Sequence, residues 1–530
     1  MAKFDLVIHG GTVIDGSGAT RQHADVGIQA DRVAAIGTID PASGATTIDA
    51  TGHIVAPGCV DVHNHSDGWL LKKRHFLPKV SQGFTTEVIM ADGISYAPVA
   101  PDTAVEWIHY LRSIDALTVP EYRGWETIAD YMRCIDGSTA QNAIAQIPYA
   151  NVRTLVMGWG REIPDDVQTR LIQAEVRRAM EQGAAGISTG IDYIAQSFST
   201  TDELVNACQA MAEYGGLYVT HVRYKKGLVE GMKEAVEIGK RAGVAVHISH
   251  LKSPKAEFTE EILDYVNRIA VNEVDFSFDV YPYHPGSTML HFLLPYEVWE
   301  DGPLRAAQKL VEPRVRRLIA ASLADAATPL DRIYLAWFAS KENAQYQGIS
   351  VDEYVRLSGK NTVDAICDLL IEENLAVTAV FRPAGPNDNA DTLVEPFLQH
   401  EKFMLGSDGI YYPDGLVHPR VYGSLPRLLG PLVRDRKLFS LEEAVRKASG
   451  YPSERFGLTD RGVLRDGAFA DLFVFDSDTI EDTATYSDPH QLAAGVDTVV
   501  VNGKIVLSGG EPVGPEDATQ PGRALQFRRG

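Results

Sequence analysis

Cys59-Val60-Asp61-Val62-His63-Asn64-His65 is the stretch on which the reading of this chain turns. Its first four residues form a short strand-like run, and the run ends in a His-x-His triplet. Residues i and i+2 of a strand share a face, so His63 and His65 direct both imidazoles at one point. Alone the triplet is a weak motif. Its meaning depends on what surrounds it.

Seven further apolar runs follow: Thr86–Met90, Thr154–Met157, Gly186–Ser188, Leu217–Thr220, Val244–Ile248, Phe276–Val280 and Phe403–Leu405. Helical stretches lie between most of them, including Asp165–Glu181, Thr201–Tyr214, Gly227–Ala242 and Thr259–Asn272. Repeated strand–helix alternation predicts a parallel sheet. Eight such units over roughly 350 residues predict an α/β fold, a closed (β/α)8 TIM-like barrel. One interval departs from the rhythm. Tyr281 to Lys402 is too long for one crossover helix, which predicts an inserted lid subdomain over about 286–347, with an amphipathic helix from Pro303 to Leu323.

Both chain ends have another texture. Phe4–Ile8, Thr12–Ile14, Ala24–Ile28 and Arg32–Gly37 are short strands punctuated by Gly/Asp turns, and Ala470–Phe475 and Thr498–Lys504 repeat the pattern. Residues 1–57 plus 458–530 are therefore expected to form one small β-sandwich around a catalytic barrel of 58–457. The 530 residues carry a net charge of −22, which argues against nucleic-acid and anionic-membrane partners. No apolar run approaches the roughly 20 residues that cross a bilayer. The opening Met1-Ala2-Lys3-Phe4 leads straight into a strand, so no secretory signal is expected. Cys59, Cys134, Cys208 and Cys367 are widely spaced, as free thiols of a reducing, cytoplasmic compartment would be.

In a β/α barrel, chemistry sits at the C-terminal ends of the strands. The first run ends in His63 and His65, the fifth in His221, the sixth in His250 and the eighth in Asp408. Each has a plain reading alone: a histidine at a strand end is commonly hydrogen-bonded structure, and Asp408 before Gly409 suits a turn. Four histidines and an aspartate at one end of one barrel form a metal-site constellation.

The pattern resembles the amidohydrolase superfamily, and in detail the N-acyl-D-amino-acid deacylase (D-aminoacylase) family. The matching segments run nearly end to end: Pro57–His63, Gly186–Gly190 with Tyr193, Thr220–Arg223, Ile248–Lys252, Tyr281–Tyr283 with Gly286–Thr288, Gly406–Gly409, His418–Arg420 with Tyr422-Gly423, and Asp460–Gly462. The resemblance implies hydrolysis of the C–N amide bond of a small-molecule N-acyl amino acid. It implies zinc, as one or two divalent ions, with His221 and His250 holding an ion and His63 and His65 completing it or binding a second. Asp408 then serves as general base and acid, and Lys252, Arg420, Tyr193, Tyr283 and Ser287 correspond to substrate contacts.

Three positions depart from the family pattern. The second strand of relatives ends in a Gly-Asn-Cys-Gly segment whose cysteine is a metal ligand. Here the segment is Met90-Ala91-Asp92-Gly93, with Asp92 at the cysteine position, where a carboxylate can ligate or bridge a metal. The third strand of relatives often ends in Gly-His, set here against Gly158-Trp159-Gly160-Arg161, and an acidic residue that usually follows strand five is replaced by Tyr224-Lys225-Lys226. These changes bear on the substrate more than the reaction and leave open a cyclic amide, lactam or carbamate hydrolase on the same barrel; a third reading, a non-catalytic scaffold, is opposed by the retention of every expected histidine and of Asp408. Self-association into a homo-oligomer is also left open.

Overall fold

The computed structural model describes residues 2–324, 328–383, 390–514 and 519–528. Its centre is a ring of eight parallel strands: β1 Cys59–Asp61, β2 Phe84–Ile89, β3 Asn142–Ala145, β4 Gly186–Gly190, β5 Leu217–His221, β6 Ala245–Ile248, β7 Phe276–Val280 and β8 Phe403–Leu405. Neighbours pair in register, as in Asp61 with Glu87, Val88 with Ile144, Ser188 with Val219, and Val280 with Leu405. After Gln146 the third strand resumes as Ile147–Pro148, which pairs with β4. The ring closes between β8 and β1. There Val62 N–H donates to Leu405 O at 3.5 Å and Asp408 N–H to His63 O at 2.7 Å, and Asn64–His65 pairs with Gly409–Ile410.

The strands read as nearly continuous apolar runs because both faces are covered. Val60, Val62, Val88, Ile144, Leu217, Val219 and Met404 join one cluster in the barrel interior. Cys59, Ile89, Tyr218, Val246 and Leu405 point the other way, into the core shared with the helices. Leu217 and Val219 on one side and Tyr218 on the other show the period of two directly. Phe456, Leu458, Leu525 and Phe527 complete the interior cluster, with Leu525 N–H bonded to Ala143 O and Phe527 N–H to Gly183 O. The end of the described chain thus plugs the barrel opposite the strand ends that carry the site.

The third strand is not Thr154–Met157. Those residues lie in the helix Tyr149–Met157, which Gly158 ends at φ 70°. A four-residue apolar run cannot be assigned by periodicity alone. The true strand was masked by Asn142, Gln146 and Pro148, residues rare in strands. Gly158–Arg161 therefore follows a helix, and the segment closing the third strand is Ile147-Pro148-Tyr149.

Between β7 and β8 the chain makes an antiparallel sheet, Ser287–Met289 and Ile333–Phe338 on either side of Val377–Phe381, so the excursion extends past residue 347. The expected helix from Pro303 to Leu323 is two helices, Pro303–Lys309 and Pro313–Ala324. Pro313 supplies no amide hydrogen and starts a new helix rather than continuing the old one.

Strands from both chain ends share one seven-stranded sheet, in which Ile54–Pro57 pairs antiparallel with Leu472–Phe475. A four-stranded sheet built from Phe4–His9, Asp25–Gln29, Arg32–Gly37 and Gly44–Asp49 packs against it through Leu6, Ile8, Val26, Val55, Leu472 and Val500. Among the described residues, no helix is long and apolar enough to cross a membrane.

Candidate metal centre

The turns that leave β2, β6 and β8 are bent in the same unusual way. Asp92, His250 and Asp408 all have positive φ, at 56°, 39° and 49°. Residues with a Cβ are disfavoured there and persist only where the surroundings hold them. Asp92 O accepts from Gln196 Nε2 at 2.9 Å, and Gly93 N–H donates to Ser188 Oγ at 3.2 Å. His250 N–H donates to Asp279 Oδ1 at 2.9 Å, and Asp408 N–H is tied to His63 O. Each bend turns a side chain inward over the barrel mouth.

There the sequence-predicted residues meet. His63 Nε2 lies 3.5 Å from Asp92 Oδ1, and His65 Nε2 lies 3.8 Å from Asp92 Oδ2 and 3.3 Å from Asp408 Oδ1. His221 Nδ1 is 4.0 Å from Asp92 Oδ2 and 3.1 Å from His250 Nε2. The ligand atoms of His63, Asp92 and His250 fall within 4.8 Å of one another, as do those of His63, His65 and Asp408. Asp92 stands between them, one oxygen toward His63 and the other toward His65 and His221.

The donor set fits a divalent metal. His63 Nε2 and Asp92 Oδ1 are buried and, among the described residues, have no hydrogen-bond partner. Unpaired buried donors and acceptors are costly, and an ion between them removes the cost. The electrostatics agree. Burial would raise the Asp92 carboxyl, but the neighbouring His63 holds it well below the ordinary range. Burial would lower His63, but Asp92 and Asp279 raise it well above its usual value. The carboxylates thus gather positive charge at this spot, which is what a metal supplies. His250 is pushed down to about 3 by burial and by the adjacent His221, leaving a neutral ring fit for ligation.

Asp279 is a site residue that the strand-end reading did not find. It is fully buried within β7, accepts from His250 N–H, pairs with His247 Nε2 at 2.9 Å and faces His63 Nδ1 at 3.5 Å. It fixes two rings of the centre from behind. Its signal in the sequence is a charged residue inside the otherwise apolar Phe276–Val280. Tyr224 was likewise read only as a departure. Its hydroxyl lies 3.1 Å from His250 Nδ1 and its ring 4.7 Å from that of His221.

Asp408 pairs with Arg420 Nη1 at 2.9 Å. Against the raising effect of burial, Arg420 and His65 keep its carboxyl well below the ordinary range, so it is ionised at neutral pH. Arg420 is completely buried, lies over the Tyr281 ring at 4.3 Å and donates from Nη2 to Ser287 O, while its Nε has no hydrogen-bond partner among the described residues. Lys252 Nζ donates to Tyr281 Oη, and burial with the nearby Arg420 pushes it down to about 7. Tyr193 places its ring 4.8 Å from that of His221. The other two expected contacts are engaged elsewhere: Tyr283 donates to Asp482 and Ser287 Oγ to Ala379 O.

The profile of the amidohydrolase family matches residues 46–507. D-aminoacylase of Alcaligenes xylosoxydans xylosoxydans is 35% identical over 509 residues, 94% of either chain. The crystal structure of N-acyl-D-glutamate deacylase from Bordetella bronchiseptica, complexed with zinc and a phosphonate mimic of the tetrahedral intermediate, superimposes with a TM-score of 0.82 at 29% identity, covering 99% of this chain and 100% of that one. A D-aminoacylase structure with a binuclear metal centre gives a TM-score of 0.80 at 32% identity and the same coverage. Profile, full-length identity and fold agree, and the chain belongs to the D-aminoacylase family of amidohydrolases.

Proposed function

We propose that this chain is a zinc-dependent hydrolase that cleaves the amide bond of N-acyl-D-amino acids. The observation that carries the reading is the pair of buried atoms without hydrogen-bond partners among the described residues, His63 Nε2 and Asp92 Oδ1, set among three more histidines beside the Asp408–Arg420 ion pair. His63, His65, Asp92, His221 and His250 would hold one or two ions. When bound, zinc supplies Lewis acidity that activates water and polarises a carbonyl.

The chain's own groups then complete the chemistry. Asp408, held ionised by Arg420 and His65, takes a proton from the attacking water and returns it to the leaving nitrogen. Arg420 Nε, without a hydrogen-bond partner among the described residues, offers a buried N–H to the substrate carboxylate, and that carboxylate would draw Lys252, across the Tyr281 ring, into its charged form. Tyr193 packs beside His221 and covers one side of the substrate. Residues 58–457 would carry this site, with 1–57 and 458–530 as its sandwich partner. All four cysteines are free, in keeping with a cytoplasmic enzyme.

The test is a substrate panel on chelated and zinc-restored protein. The expected result is turnover of N-acyl-D-amino acids that is lost on chelation and regained with zinc. Equal turnover after complete metal removal contradicts the reading. Selective cleavage of hydantoins, lactams or carbamates would move the substrate class to cyclic amides or carbamates.

A further inference from the structure

His221 offers Nδ1 to the centre, where His250 Nε2 and Asp92 Oδ2 lie, and turns Nε2 the other way. On that far side stands Asp192, from the loop after β4, with Oδ2 3.6 Å from His221 Nε2. The Asp192 side chain is 8% exposed, and no family motif read from the sequence includes it. Its two oxygens are held from different parts of the molecule. Lys225 N–H donates to Oδ2 at 3.2 Å, from the Tyr224-Lys225-Lys226 turn. Tyr296 donates its hydroxyl to Oδ1 from within the excursion between β7 and β8. Lys225 Nζ closes the group by lying 4.4 Å above the Tyr296 ring. The Tyr296–Trp299 turn is itself anchored, since Trp299 packs edge-on against Tyr110 at 5.4 Å.

We propose that Asp192 is the positioning carboxylate of His221, and that Tyr296 completes it from the inserted subdomain. A carboxylate beside the outer nitrogen of a ligand histidine fixes the proton there, leaves the inner lone pair free and sets the ring's orientation. Asp192 does this for His221 as Asp279 does for His63. The difference is that Asp279 is sealed inside a barrel strand, whereas Asp192 is held by a lid residue. Seating of the insertion and competence of the metal site are thereby coupled through one hydroxyl. The Lys225 backbone contact gives the turn after β5 a role in the same unit.

This inference rests on the metal-centre reading, and the experiment separates the two. Zinc affinity of the full-length chain is measured by competition with a chromophoric chelator for the parent, Asp192→Asn, Asp192→Glu, Tyr296→Phe and the Asp192→Asn/Tyr296→Phe double variant. Thermal unfolding of the chelated proteins monitors the fold. Asp192→Asn is expected to bind zinc about 10- to 100-fold more weakly. Asp192→Glu should recover part of the loss, and Tyr296→Phe should weaken binding about threefold to tenfold. The double variant should match Asp192→Asn, because Tyr296 acts through Asp192. Zinc affinity of Asp192→Asn within twofold of the parent overturns the proposal, as does a full additional loss in the double variant. Should Asp192→Asn fail to fold, Tyr296→Phe decides, and an unchanged affinity there overturns the proposal. A parent that binds no zinc removes the metal-centre reading itself.

Discussion

Asp279→Asn is the substitution that most sharply separates a positioned metal centre from a loose cluster of polar residues. The change keeps shape and removes one acceptor and the charge. In the parent, Oδ1 accepts from His250 N–H at 2.9 Å, while Oδ2 serves His247 Nε2 at 2.9 Å and faces His63 Nδ1 at 3.5 Å. The asparagine oxygen can replace only one of these roles. If it stays on His250 N–H, an amide NH2 confronts two imidazole nitrogens. His247 could respond by changing tautomer only if Ser277 Oγ, 2.8 Å from its Nδ1 and already accepting from Arg455 Nε, turned from donor to acceptor. One buried charge-assisted hydrogen bond is therefore lost, at about 1.5–3 kcal/mol. Zinc binding should weaken about 10- to 100-fold, because His63 loses the group that orients it.

The pH dependence has a defined sign. Although burial alone would raise it, the Asp279 carboxyl is held below the ordinary range by His63 and His247. Its contribution is present above the unfolded carboxylate value of about 3.9 and is lost as pH falls through the folded value. The deficit of the variant should thus be complete at pH 7 and shrink in strong acid. Denaturant unfolding of the chelated proteins gives the stability difference, and chelator competition gives zinc affinity. A variant within about 0.5 kcal/mol of the parent, with unchanged zinc affinity, refutes the reasoning.

Four further substitutions test other parts of the account. Asp408→Asn should keep zinc and the fold but lose at least about 100-fold in kcat, since it removes proton transfer; metal content and steady-state rates check both. Asp92→Ala should leave His63 and His221 without the carboxylate they share and reduce bound zinc on metal analysis, whereas Asp92→Cys should retain binding through a thiolate. Glu87, outside the centre, is raised to about 7 by burial despite the nearby Lys79. A raised carboxyl favours the folded state below the unfolded value of about 4.3, and this advantage is lost as pH rises through about 7. Glu87→Gln should therefore stabilise the chain by up to about 3 kcal/mol at pH 8 and have little effect at pH 4. Equal effects at both pH values on thermal unfolding contradict the assignment.

Much of the barrel was legible because its strands are buried on both faces, which leaves unbroken apolar runs such as Val244–Ile248. The third strand was not, because Asn142, Gln146 and Pro148 interrupt it, while Thr154–Met157 presents a strand-like run on a helix. Strand-end logic brought together His63, His65, His221, His250 and Asp408, residues far apart in sequence that share one rim of the barrel. Asp92 was found only by comparison with a family pattern, since a lone aspartate before glycine looks like a turn. Asp279 and Asp192 were out of reach for different reasons. Asp279 acts from within a strand rather than at its end, and Asp192 takes its meaning from Tyr296, a hundred residues away and in another subdomain. Tyr283 and Ser287 carry family resemblance, yet their hydroxyls are occupied by Asp482 and Ala379. Sequence pattern does not show whether such a group is free.

The central claim is that His63, His65, Asp92, His221 and His250 form a metal centre. An anomalous-scattering map recorded at the zinc edge from crystals of the zinc-loaded chain tests it most directly. The account predicts one or two peaks within bonding distance of these side chains. A map with no peak among them, or with zinc bound only elsewhere, contradicts it.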